Sequence, residues 1–329
     1  MLHFFRTNTL SAIIAFLVFS ILIRLAGFLI EIPLHIQSPT PVAQYILNWM
    51  NHHAPLGWQS ALVAALLVVL QAFFVNFISN SQQVIFKNSV LPGLFFVLLN
   101  SIYAPQQLLT PQLIANTFLI FLVYRLCFLY ESPNPIFPVI DAGVLLGLGL
   151  LFDPDLILYL PFILLSIIYM TKFNVRYLLV AILSIGIPLY FLAAYLYVNG
   201  SISNLLEALY YTIDKSYFKA LGITFEKGYI WFILLPILIF SSLQIQINFF
   251  RNKVKTRRLQ LMIIIMVPFG FLSLLAGDYG FELALPYLSI PLSFLLANYY
   301  VRTSWKWIKE ISLLLILAAI LYYQYLMNN

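Results

Sequence analysis

Eleven carboxylates are spread over 329 residues, and five of them fall where apolar segments end. Glu31 follows the first long apolar run. Asp153 and Asp155 flank a proline in Phe152-Asp153-Pro154-Asp155. Asp278 and Glu282 lie one helical turn apart in Gly277-Asp278-Tyr279-Gly280-Phe281-Glu282. A carboxylate beside apolar surface is costly unless it is solvated, paired or metal-bound. Five on one rim can build an acid/base site or hold a divalent cation. Each also has a structural role to weigh. Asp153 can cap a helix that has Pro154 in its first turn, with Asp155 favoured by the positive end of the helix dipole. Asp278 suits a turn. Glu31 has no capping use, because an anion at a helix C-terminus meets the unfavourable end of the dipole. That leaves it a solvated interface residue or a catalytic one.

Two cations belong with these acids. Arg24 precedes Glu31 by seven residues, which on a continuous helix puts it two turns, about 10 Å, below on nearly the same face. A guanidinium there suits a phosphate through paired hydrogen bonds, or an intramembrane ion pair or polar network. Lys215 is flanked by Tyr210, Tyr211, Tyr217 and Phe218. Those aromatic rings suit a sugar face, a polyprenyl chain or an interfacial belt. The four histidines show no HxxxH or HExxH spacing, and Cys127 is single. No thiolate metal cluster and no intrachain disulfide follow.

The elements that must position these residues are apolar helices. Hydrophobic residues make up 63% of the chain and charged residues 9%, against about half and a quarter in soluble domains. So much apolar surface with so little charge calls for lipid as solvent. The expectation is an all-α polytopic transmembrane bundle, one domain over 1–329. About eleven spans are expected, at 9–30, 58–79, 88–104, 112–130, 137–152, 156–171, 177–198, 229–249, 259–276, 283–301 and 310–327. The net charge of +6 does not point to nucleic acid, because the cations sit in short loops between apolar runs. With a cytoplasmic N-terminus, thirteen of the seventeen Lys and Arg face inward, including Arg251, Lys253, Lys255, Arg257 and Arg258, and all five rim acids face outward. That split follows the positive-inside rule; the expected location is a bacterial inner membrane, in contact with its lipids. Two outer loops, 31–57 and 199–228, are long enough for short interfacial helices. In the first, Pro41 opens a stretch carrying Val42, Tyr45, Ile46 and Trp49 at helical spacing.

The run Asp141–Asp155, followed by 156–170, resembles the short helical hairpin of C-type (GT-C) polytopic glycosyltransferases. The run from Glu282 through Pro286 and Pro291 is similar to a late span of that superfamily. The chain as a whole resembles an uncharacterised integral membrane family of Bacteroidota. The resemblance implies transfer of a sugar from a polyprenyl-phosphate donor at the outer face. Glu31 matches the position of the acidic residue that follows the first span and serves as general base. Asp278 and Glu282 would position the acceptor or a divalent metal, and Arg24 or Lys215 would hold the donor phosphate. Asp153 and Asp155 complete the substrate-binding candidates. A second reading is a non-enzymatic subunit or scaffold of an envelope assembly or secretion machine, with a protein partner. A third, transport, ranks last, because Arg24 alone is ionisable at depth.

Overall fold

A computed structural model describes residues 5–29, 40–53, 57–85, 88–171, 173–199, 225–247, 251–276, 281–303 and 306–328. Among these, twelve α-helices are defined, and no strand. They are α1 (Leu10–Ile23), α2 (Pro41–His53), α3 (Gly57–Ser81), α4 (Leu91–Leu99), α5 (Pro111–Cys127), α6 (Ile136–Leu150), α7 (Leu160–Met170), α8 (Val175–Val198), α9 (Phe225–Ile247), α10 (Val254–Ala276), α11 (Phe281–Arg302) and α12 (Lys306–Asn328). Short 3-10 turns occupy Leu25–Leu29, Ala104–Gln107 and Pro154–Tyr159. The possible helix in 199–228 lies outside the described residues.

Among the described residues, three helices are long and apolar enough to cross a membrane: Gly57–Ser81, Val175–Val198 and Val254–Leu274. Their outward faces stay apolar. Leu179, Leu183, Tyr190 and Phe191 of α8 are all exposed, a continuous surface that water would not tolerate and lipid would. The chain is built as a membrane protein.

Its centre is α11. Every residue from 285 to 300 is buried, and the helix packs against α4, α5, α9 and α10. Pro286 and Pro291 interrupt its hydrogen-bond ladder. Hydroxyls meet carbonyls along it: Ser289 donates to Pro286 at 2.6 Å and Ser293 to Ile290 at 2.7 Å.

Hydrogen bonds sort the helix ends into two sets. At one end Arg6 donates to the Val301 carbonyl (2.6 Å), Gln260 to Val84 (3.0 Å) and Arg258 to Met170 (3.1 Å). Lys255 pairs with Glu131 at 2.7 Å and Arg302 donates to Asn252 at 2.7 Å. The starts of α1 and α10 thus meet the ends of α3, α7 and α11. At the other end Arg24 and Gln324 bond to the chain just after α4, Ser60 at the start of α3 accepts from Leu109, and Tyr287 of α11 reaches Asp153 after α6. The first end is rich in cations. The second holds buried polar groups.

Two spans differ from expectation. The stretch 88–104 becomes α4, nine residues and about 14 Å long, too short to cross a bilayer alone. The Asn100 side chain takes the Phe96 carbonyl and Ser101 takes Val97, which ends the helix, and the chain continues as buried irregular backbone. The expected helix 9–30 ends at Ile23, where Arg24 caps it and a 3-10 turn follows. Arg24 therefore does not continue helically toward Glu31.

The glycines of the 137–152 segment have a packing cause. A Cβ on Gly143 would lie 2.6 Å from the Ala181 carbonyl oxygen, and one on Gly147 would lie 2.5 Å from that of Ile185. These small residues, four apart, let α6 and α8 approach backbone to backbone, as small-residue pairs do in membranes. Gly186 on α8 has open space instead. Gly143→Leu and Gly147→Leu should each cost ~1–3 kcal/mol through overpacking, read as a lower Tm of the purified chain, while Gly186→Ala should leave Tm equal or higher.

Candidate functional site

At the polar end the buried charged groups flank one turn of α11. On one side stands Arg24, 1% exposed. Its Nη1 donates to the Asn100 carbonyl and its Nη2 to the Gln106 carbonyl, both at 2.9 Å. Asn100 in turn donates to Ser289 of α11 at 2.8 Å. Of the two uses open to Arg24, a polar network is what these contacts build. These bonds use two of the five N–H groups of the guanidinium.

On the other side stands the Asp-Pro-Asp turn. Asp153 is 2% exposed and Asp155 5%. Asp153 caps the 3-10 turn through a 3.3 Å bond from the Asp155 backbone N–H, with Pro154 in the first turn. Its second oxygen accepts from the Tyr287 hydroxyl at 2.5 Å. The Tyr159 and Tyr287 rings lie 6.1 Å apart, edge to face. Thr40, just before α2, donates to the Phe152 carbonyl at 3.1 Å and ties the turn to the helix above it.

Tyr287 and Ser289 are two residues apart, so they point to opposite sides of α11. The helix separates the Arg24 network from the Asp153 pair at the same depth. Glu282 belongs to the first turn of α11, one and a half turns before Tyr287, and its side chain is not described. Glu31, Asp278 and Lys215 lie outside the described residues. Among the described residues no three His, Cys, Asp or Glu side chains gather as metal ligands. A divalent cation near Asp153 and Asp155 would need Asp278 or Glu282 as well.

Tyr287 was not among the sequence candidates. A tyrosine in an apolar span reads as core, and nothing local marks it as the partner of an acid 134 residues away. Asn100, Gln106 and Gln107 were missed for the same reason.

No protein-family profile and no curated protein matches this sequence. Among solved structures it is similar to the archaeal oligosaccharyltransferase AglB from Archaeoglobus fulgidus, solved with an inhibitory peptide and a dolichol-phosphate. The TM-score is 0.48 and the identity 11%, over 96% of this chain and 55% of that one. The chain thus spans about half the length of that protein, and a likeness at this level carries nothing about chemistry.

Tyr287→Phe removes the donor from a buried carboxylate and should cost ~1.5–3 kcal/mol, seen as a lower Tm in detergent. Arg24→Leu leaves two buried carbonyls without donors and should lower Tm further than Gln324→Leu, whose side chain makes one short bond, to Ser101.

Proposed function

We propose that this chain is a membrane-embedded glycosyltransferase of the GT-C kind, acting on a polyprenyl-phosphate sugar at the polar end of the bundle. We place that end at the outer face of a bacterial inner membrane, with the N-terminus in the cytoplasm. The observation that carries the reading is the buried Asp153–Asp155 pair held by Tyr287 beside the helix whose first turn carries Glu282. Two acids kept from water in apolar surroundings, with a third carboxylate on the adjoining helix, are costly to fold. Placing ionised groups where charge must be moved or matched is a use that offsets such a cost.

In this reading Glu31 takes the proton of the acceptor hydroxyl, which requires hydrogen-bond reach. The freed oxygen attacks the anomeric carbon, the carbon–oxygen bond to phosphate breaks, and polyprenyl phosphate leaves. Lys215 or Arg24 meets the phosphate, and Arg24 also holds the outer turn in place. Asp278 and Glu282 orient the acceptor or a divalent cation, and Asp153 and Asp155 line the substrate site.

A second reading has its own observation. Both terminal nitrogens of Arg24 and both oxygens of Asp153 are engaged within the fold, as befits a non-catalytic subunit of an envelope assembly.

The full chain in liposomes, given polyprenyl-phosphate-linked radiolabelled sugar and an acceptor, should transfer sugar. Glu31→Gln should abolish transfer at unchanged membrane abundance, and full transfer by that variant would sink the assignment. A stoichiometric partner after mild extraction, together with tolerance of Asn and Gln at the acids, would favour the subunit reading. Orientation is checked separately. Cys127 is the single cysteine and is buried, so single exposed cysteines can replace Phe173 or Trp49 in a Cys127→Ala background. An impermeant maleimide should label Trp49→Cys in intact cells and Phe173→Cys only after lysis.

A further inference from the structure

Among the buried polar atoms without hydrogen-bond partners, seven near the polar end of the bundle belong to five residues. They are Arg24 Nε, Asn100 Oδ1, both side-chain ends of Gln107, Gln112 Oε1 and both side-chain ends of Asn116. The five residues are at most 3% exposed. Leaving a donor or acceptor unpaired in the interior costs about 1–3 kcal/mol per group, and several together are not left by chance in a stable fold.

Three of the five belong to one connected cluster. Arg24 bonds to the Asn100 and Gln106 carbonyls. Gln107 follows Gln106 and packs on Gly27, where a Cβ would sit 2.7 Å from its Oε1. The other two lie on the helix that starts four residues after this turn ends. α5 packs against α3, α6 and α11. Its Leu113 carbonyl accepts from Gln71 of α3 at 2.8 Å, and its Ala115 carbonyl faces Gly149 of α6. Helical periodicity sets Gln112 and Asn116, one turn apart, on the arc between those two contacts. That arc turns to the interior and to α11, the helix that also receives Asn100 through Ser289.

The chemistry of the unpartnered atoms selects the occupant. They comprise three donors and four acceptors. A phosphate or carboxylate only accepts and would leave the four amide oxygens unmet. A metal ion or ammonium would leave the donors unmet. A hydroxyl both donates and accepts. We infer that Gln107, Gln112, Asn116, Asn100 Oδ1 and Arg24 Nε form a site for neutral hydroxyl groups, either ordered water or the hydroxyls of a carbohydrate. The carbohydrate source rests on the transfer reading above, and the water source does not.

The test turns on a sign. With hydroxyls bound, Asn116→Leu and Gln112→Leu break hydrogen bonds and lower the Tm of the full chain in phospholipid nanodiscs by several degrees. Without them, the near-isosteric Asn116→Leu removes an unpaired amide and leaves Tm unchanged or raises it. X-ray radical footprinting of the unaltered protein gives a second measure that does not depend on a variant folding. Radicals formed from bound water should label Tyr103 and Leu119, both fully buried. Octyl glucoside raising Tm above an octanol control, with the difference lost in Asn116→Leu, assigns carbohydrate; equal responses to both with Tyr103 labelled assign water. Unchanged or raised Tm in Asn116→Leu with Tyr103 and Leu119 unlabelled overturns the site. These readouts need no sugar transfer, so their failure is distinct from that of Glu31→Gln.

Discussion

A backbone carbonyl inside an apolar bundle must find a donor, and the segment 100–110 has to find several. It has one 3-10 turn but no α-helix, is largely buried, and cannot turn to water. Such backbone persists at membrane depth only where protein supplies the missing bonds. Here they come from distant side chains. Arg24 of the first helical segment holds two carbonyls, Gln324 of the last helix holds Ser101, and Ser60 of α3 takes the Leu109 N–H. The end of α1, the start of α3 and the end of α12 are thereby gathered around one stretch of chain.

α11 provides what that segment leans on. It is buried along sixteen consecutive residues, and its charged residues lie only at its ends. One turn of it joins two polar environments, Ser289 facing Asn100 and Tyr287 facing Asp153. Because the helix is rigid on that scale, a shift on one side is carried to the other. The opposite end of the bundle is organised differently. There the cations bridge carbonyls, a carboxylate and the Tyr130 ring, which lies 4.6 Å from the Arg258 guanidinium. The charge asymmetry between the ends is thus also a difference in how helix ends are tied.

How far the sequence could be read depended on the range of each interaction. Asp-Pro-Asp shows its cap locally, because Asp153 accepts from a neighbour two residues away. Pro41 opens a helix, as a first-turn proline does. The glycines at 143 and 147 were visible as a glycine-rich run, but their partner α8 was not. Arg24 was read as part of a helix continuing to Glu31. The helix stops one residue earlier, because the guanidinium is drawn to carbonyls 76 and 82 residues away.

By itself the sequence determined the solvent, the helical class and which loops carry charge, since these follow from composition and from patterns within one turn of helix. Only the tertiary structure decided that α4 would stop short and that α11 would lie at the centre. It alone paired Tyr287 with Asp153 and left polar atoms of five amide and guanidinium side chains unpartnered near the polar end. Those outcomes depend on donors and acceptors far apart in the chain, and no local rule couples them.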